Sequence, residues 1–226
     1  MTASSSRPSA PTLRYERELL RASGLTSLAC ADEAGRGALS GPVSVGVVVV
    51  TSSTKSAPQG VRDSKLLSQE RREELAPQVR RWAAAWAVGM ASAAEIDELG
   101  IVAAMRLAGH RALAALPDLP GTVLLDGNHD YLTPADQASL FGEDVVLVDV
   151  PPVVTRVKAD LRCAGVAAAS ILAKTARDDV MIRLAADHPE YGWAENKGYA
   201  APEHMEALRQ HGPSPYHRVS WSLPTR

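Results

Sequence analysis

Residues 42–51, PVSVGVVVVT, are dense in β-branched side chains, and no other stretch constrains the fold as much. Valine is stiff at χ1 and packs well on a pleated surface, so the run reads as a strand. Residues 28–31, Leu-Ala-Cys-Ala, form a short apolar segment that reads as a buried strand running into Asp32. The turn-forming run Ala34-Gly35-Arg36-Gly37 lies between them. So short a spacing suggests an antiparallel hairpin. The acidic pair Asp32-Glu33 then sits at the end of its first strand.

Beyond the hairpin the period changes repeatedly. Residues 14–23 suit a short helix ended by Gly24. Ser68 is placed to cap a helix through the 70s, which Pro77 is expected to kink or divide. Residues 85–91 suit a strand. Ser92-x-x-Glu95 is a capping-box pattern opening a helix. Gly100 weakens that helix, and residues 101–116 resume the helical period. Residues 122–125 form a short buried strand ending on Asp126, and residues 145–150 suggest another. Residues 164–186 have helical length and many small side chains, which let a helix lie close on a sheet. After His188-Pro189 the chain turns Gly-, Pro- and Tyr-rich, with a helical patch at 202–211. The order predicts an α/β domain with a mixed sheet flanked by helices, plus a small helical C-terminal segment. Trp82 and Trp86 are expected in the core rather than as a stacking platform.

With 226 residues, one domain is expected. Residues 1–13 are rich in Ser, Pro and Ala and suit a disordered tail; the domain is placed at 14–226, with 189–226 as a substrate-contacting segment. Aromatic residues make up only 4%, so Ala, Val and Leu must build the core. The net charge of -2 argues against binding nucleic acid by bulk charge, but not against local phosphate contacts. From Pro151 onward there are ten Lys+Arg and eight Asp+Glu, so this third is mildly basic. Cys30 and Cys163 are far apart and suit two buried thiols. The longest apolar run is too short to span a membrane. No signal peptide is evident, and a cytoplasmic location is expected.

Asp32 and Asp126 each end an apolar strand, and Asp160 follows one. Carboxylates at strand ends converge on one edge of such a sheet, where ligand sites tend to sit. Asp32 and Glu33 would face opposite ways in an extended strand, so both can reach one site only if the chain bends after Asp32. Clustered carboxylates repel unless something positive lies between them. Four carboxylates without a His or Cys cluster suit Mg²⁺ or Mn²⁺ rather than Zn²⁺. On spacing alone this grouping is weak, and each of Asp32, Asp126 and Asp160 is more readily a turn or cap residue.

The surrounding motifs go further. Asp32-Glu33-Ala34-Gly35-Arg36-Gly37 with Ser40-Gly41-Pro42-Val43 resembles the opening signature of the ribonuclease HII family. Asp63-Ser64-Lys65-Leu66-Leu67-Ser68 and Leu124-Leu125-Asp126-Gly127-Asn128 resemble its second and third blocks. Lys158-Ala159-Asp160, with residues 167–174 and Arg177-Asp178, is similar to the fourth. Asn196-Lys197-Gly198-Tyr199, Glu203-His204 and residues 211–218 resemble the C-terminal blocks. Many members carry Lys-Gly-Asp where this chain has Lys158-Ala159-Asp160. The longer spacing from Asp126 to Asp160 suggests an insertion around residues 133–148.

The resemblance implies a ribonuclease H-like fold and an endonuclease that hydrolyses RNA paired to DNA. It implies cutting 5′ to ribonucleotides embedded in duplex DNA, by two-metal-ion in-line attack of water, leaving 3′-hydroxyl and 5′-phosphate ends. It implies Asp32, Glu33, Asp126 and Asp160 as catalytic metal ligands for Mn²⁺ or Mg²⁺. Gly35, Arg36, Gly37 and Tyr199 would read the ribose at the RNA–DNA junction, and Lys65 and Lys174 would contact phosphate or the metal-site carboxylates. The expected partners are RNA–DNA hybrid and ribonucleotide-containing duplex DNA, engaged by a monomer with no membrane contact. A non-catalytic hybrid-binding protein, or another nuclease on this fold, is the alternative. Asp178 and Asp179 compete with Asp160 but suit a helix-surface salt bridge or a cap. His217-Arg218 either contacts phosphate or caps the C-terminal fold.

Overall fold

A computed structural model describes residues 10–134 and 148–224. Its centre is a five-stranded sheet of β1 (Ser27–Ala34), β2 (Val43–Thr51), β3 (Ala85–Ala91), β4 (Val123–Asp126) and β5 (Val153–Arg156), in the order β3-β2-β1-β4-β5. The expected hairpin forms, in register from Ser27 opposite Thr51 to Ala34 opposite Ser44. β3 adds antiparallel to β2, while β4 and β5 run parallel to β1. The sheet is therefore mixed, as expected.

Period-two alternation divides the core. Leu28, Cys30, Val48 and Val50 pack against α5 (Ala164–Asp187) with α1 (Arg14–Ser23) and α2 (Gln69–Trp82). Ala29, Ala31, Val45 and Val47 pack against α4 (Ile101–Ala114) on the opposite face. Both helices lie directly on the sheet backbone. A Cβ on Gly46 would stand 2.3 Å from the Ala169 carbonyl oxygen, and one on Gly89 would stand 2.0 Å from that of Ala108. Alanine-rich helices and in-strand glycines are one solution to close packing. Gly46→Ala or Gly89→Ala should each cost about 3 kcal/mol, because the obstacle is helix backbone that cannot turn aside. Denaturant midpoints measure this.

Other elements follow their local signals. Ser68 caps α2, and Ser92 with Glu95 forms the capping box of α3 (Ala93–Leu99). Gly100, at φ 77°, separates α3 from α4. After α5 come α6 (Trp193–Asn196) and α7 (Pro202–His211), around a small core of Met181, Tyr191, Trp193, Ala207 and Leu208.

Four expectations need correction. Residues 10–13 are not a loose tail: Thr12 exchanges backbone hydrogen bonds with Arg162 and Ala164, and Leu13 is buried. Residues 1–9 lie outside the described residues. The strand expected at 145–150 is absent from 148–150; pairing starts instead at Val153, after two prolines that lack amide donors. Residues 135–147, including most of the expected insertion, lie outside the described residues. Pro77 does not divide α2, which runs unbroken from Gln69 to Trp82. Trp82 joins the core, but Trp86 is 39% exposed on edge strand β3, with the Arg80 guanidinium over its ring. Both cysteines are buried free thiols. No helix among the described residues is long and apolar enough to cross a membrane.

Candidate active site

The parallel pairing of β1 with β4 sets Ala31 beside Leu125, so Asp126 at the end of β4 adjoins Asp32, which does not end its strand as expected but lies two residues before the end of β1. Asp160 arrives from a single 3-10 turn, Ala159–Leu161. Just before that turn Lys158 adopts a left-handed backbone, φ 57° and ψ 40°. The turn directs the amides of Ala159 and Asp160 at Asp126 Oδ1, at 2.6 and 3.4 Å. Carboxylate oxygens of Asp32, Asp126 and Asp160 all lie within 4.8 Å of one another. Asp32 and Asp160 are buried and Asp126 is half-buried.

Glu33 stands apart from that cluster. The expected bend after Asp32 does not occur, because β1 continues in register through Ala34. Alternation sends Asp32 to the side of Leu28 and Cys30, and Glu33 to the side of Ala29 and Ala31. Glu33 instead accepts a hydrogen bond from the buried Tyr131 hydroxyl at 3.3 Å and lies 3.9 Å from Arg36. It still borders the same cleft of about 260 Å³, with Asp32, Asp126, Lys65, Lys174, Tyr199 and the Gly35–Gly37 loop. Nothing in the sequence marked Tyr131, which follows Asp126 in a loop without periodicity.

Electrostatics fit a cation site. Burial, then the charges of Glu33 and Asp126, push the Asp32 carboxyl well above its ordinary range. Burial and Asp126 raise Asp160 to about 6. Burial raises Glu33, against Arg36. Lys65 is the nearby counter-charge, 3.7 Å from Asp160; burial works against its ammonium, but Asp63, Asp32 and Asp160 hold it above its usual range. One exposed lysine leaves the cluster undercompensated. An oxygen-seeking divalent cation would complete it.

Lys174 does not reach those carboxylates. It pairs with Asp178 at 2.5 Å, and Arg72 holds the other Asp178 oxygen at 2.9 Å. Asp178 is thus an interior ion-pair residue rather than the surface one expected, because α2 packs over this part of α5. Tyr199 is half-buried, with Lys174 and Arg177 each about 5 Å from its ring centre.

His217 and Arg218 are both buried, so neither meets phosphate as the fold stands. Arg218 binds the carbonyls of Gly35, Arg36 and Gly41, and Arg177 binds those of Pro42, Ser40 and Lys197. Sequence reasoning missed this double clamp; a basic residue in a motif reads first as a phosphate ligand. His217 and His204 face each other, Nε2 to Nε2 at 3.0 Å. The Tyr199 carbonyl requires a proton on His204 Nδ1, and the Ser214 amide requires a bare His217 Nδ1. A neutral pair then fits, with His217 Nε2 donating to His204.

Burial and His204 push His217 down to about 4, and burial also lowers His204. A depressed histidine lends stability that is present above the unfolded value of 6.5 and is lost as pH falls toward about 4. Denaturation midpoints between pH 7 and 4 should therefore fall more for the native chain than for His217→Gln.

Comparison with known proteins agrees with this geometry. Residues 29–223 match the family described as Ribonuclease HII. A ribonuclease HII of Streptomyces avermitilis is 44% identical over 94% of this chain and 84% of its own length. That of Thermus thermophilus is 46% identical over 83% of this chain and 82% of its own. The crystal structure of Pyrococcus horikoshii ribonuclease H2 superposes with a TM-score of 0.65 at 28% identity, covering 88% of this chain and 95% of that one. A Bst ribonuclease HIII solved with Mn²⁺ has a TM-score of 0.67 at 20% identity, covering 99% of this chain and 75% of that one, and shares the fold. The chain belongs to the ribonuclease HII family, the type 2 ribonucleases H, which are endonucleases acting on RNA–DNA hybrids.

Proposed function

We propose that this chain cuts duplex DNA on the 5′ side of embedded ribonucleotides, as well as the RNA strand of hybrids, leaving 3′-hydroxyl and 5′-phosphate ends. The observation that carries this is a carboxylate cluster within 4.8 Å, bordering the same cleft as a glycine loop suited to reading a sugar. Asp32, Asp126 and Asp160 would hold Mg²⁺ or Mn²⁺, with Glu33 supplying a further oxygen from the neighbouring wall. What such cations supply when bound is activation of a water and neutralisation of charge on the departing 3′-oxygen.

The chain's own residues do the rest. Tyr131 holds Glu33 through its hydroxyl. The amides of Ala159 and Asp160 fix Asp126. Gly35, Arg36 and Gly37 offer backbone to the ribose, whose 2′-hydroxyl both donates and accepts. Tyr199 offers a ring to the adjoining sugar. Lys65, beside the carboxylates, and Lys174, at the cleft wall, add positive charge for phosphate. The protein is proposed to act as a cytoplasmic monomer.

End-mapping on a DNA duplex with one ribonucleotide, in Mg²⁺ and then Mn²⁺, tests this. A single cut 5′ to the ribonucleotide, lost in Asp126→Asn, is expected. A cut on its 3′ side, or undiminished cleavage by that variant, would refute it.

A further inference from the structure

Arg218 has no exposed surface, and among the described residues no carboxylate pairs with it. Burying an unpaired guanidinium is costly unless its donors are all used. Here they converge on one short loop. Nη1 donates to the Arg36 carbonyl at 2.8 Å, and Nη2 to the Gly35 carbonyl at 2.7 Å. Nε and Nη2 also reach the Gly41 carbonyl, at 3.3 and 3.2 Å. In a trans peptide the carbonyl and the following N–H point opposite ways. Drawing the Gly35 and Arg36 carbonyls inward therefore turns the amides of Arg36 and Gly37 away from Arg218. Both residues border the carboxylate cleft, and among the described residues neither amide donates to another protein group. A pair of successive free amides is a ready receptor for oxygen.

We infer that Arg218 is a positioning residue for ribonucleotide selection, setting the direction of the Arg36 and Gly37 amides toward the cleft. This rests on the proposal that the Gly35–Gly37 loop reads the ribose. The clamp is itself anchored outside the core. Asp97 on α3 accepts from the amides of Val219 and Ser220, at 2.9 and 3.0 Å, and from the Ser220 hydroxyl. The Arg218 amide donates to the Leu39 carbonyl at 2.9 Å, which ties the same segment to the far side of the loop. Lysine cannot replace Arg218, since one ammonium cannot span three carbonyls in a planar fork.

The test compares kcat and KM on two substrates, a duplex with one ribonucleotide and a continuous RNA–DNA hybrid. The single ribonucleotide offers one productive register, which the loop must define. The hybrid offers a ribose at every step, so a misaimed amide matters less. Arg218→Lys should lower kcat on the single-ribonucleotide duplex at least about tenfold more than on the hybrid. Asp97→Ala, a change at a half-buried residue that leaves the guanidinium in place, should shift the ratio the same way by about threefold. Melting temperatures show that each variant is folded at the assay temperature. Equal loss on both substrates, or an unchanged ratio in Asp97→Ala if Arg218→Lys fails to fold, would overturn the inference. Gly37→Ala separates the two layers. If it leaves the ratio unchanged, the ribose-reading loop itself is wrong; if it shifts the ratio and the Arg218 and Asp97 variants do not, only the positioning role is.

Discussion

Asp32→Asn should raise the stability of the metal-free protein by roughly 1 kcal/mol while lowering turnover a hundredfold or more. Asp32 is 3% exposed and shares its site with Asp126 and Asp160. Its ionised form is opposed first by burial, then by Glu33 and Asp126. An acid raised on folding binds its proton more tightly in the native state, so stability falls as pH rises through the folded value. At neutral pH without metal, Asp32 is therefore a local destabilisation. Asparagine keeps the shape and removes the charge. It also removes a ligand that a hard cation needs.

The same reasoning gives the metal dependence. For Asp160, raised to about 6, the metal-free protein should lose stability between about pH 4 and 6. Mg²⁺ or Mn²⁺ should restore it, since a ligand that binds only the native state adds stability by mass action. Thermal scans with and without metal, on native chain and Asp32→Asn, measure both halves. A variant that is neither more stable without metal nor slower with it would show that the cluster is structural. The stabilising arm is distinctive because most buried substitutions destabilise.

Legibility in the sequence varied with the range of the signal. Residues 28–51 declared their hairpin, because β-branched density and a short turn are local properties. Asp126 was legible as a strand-end residue, and Asp32 and Asp160 as carboxylates near the ends of strands, since sheet topology brings such positions together. Glu33 was only half legible. Its neighbour's motif suggested a shared site, but whether a strand bends between two residues depends on its partner, and Gly46 and Val45 of β2 keep it straight. Arg177 and Arg218 could not be read as clamps. Their role is set mainly by carbonyls more than a hundred residues away in the chain. A charged side chain in a motif carries no mark of being buried. Asp178 misled for the same reason, because the cover that α2 gives it is a tertiary fact. The strand before Asp160 was not found at 148–150, the described part of the expected span, because residues 145–150 are as β-branched as β5 in sequence and only the diproline at 151–152 separates them.

The two glycines of the loop should separate fold from function. A Cβ on Gly35 would lie 2.0 Å from Arg177 Nε and 2.8 Å from the Pro42 carbonyl oxygen, at a φ of 86°. Arg177 cannot swing away without releasing the carbonyls of Pro42, Ser40 and Lys197. Gly35→Ala should accordingly cost about 3 kcal/mol or more, from left-handed strain and overpacking together. A Cβ on Gly37 meets nothing within 4 Å, and its backbone is not in the left-handed region. Gly37→Ala should shift stability by less than about 0.5 kcal/mol. Yet Gly37 borders the carboxylate cleft. A methyl group there stands where a sugar must come within hydrogen-bonding reach of backbone, and an ångström of displacement costs on the order of 100-fold in rate. So Gly37→Ala should melt like the native protein and cleave a single-ribonucleotide duplex about 100-fold more slowly. Normal cleavage by that variant would mean that the space above Gly37 is not where substrate lies. A native-like melting point for Gly35→Ala would mean that Arg177 is free to move, and that the loop is held by Arg218 alone.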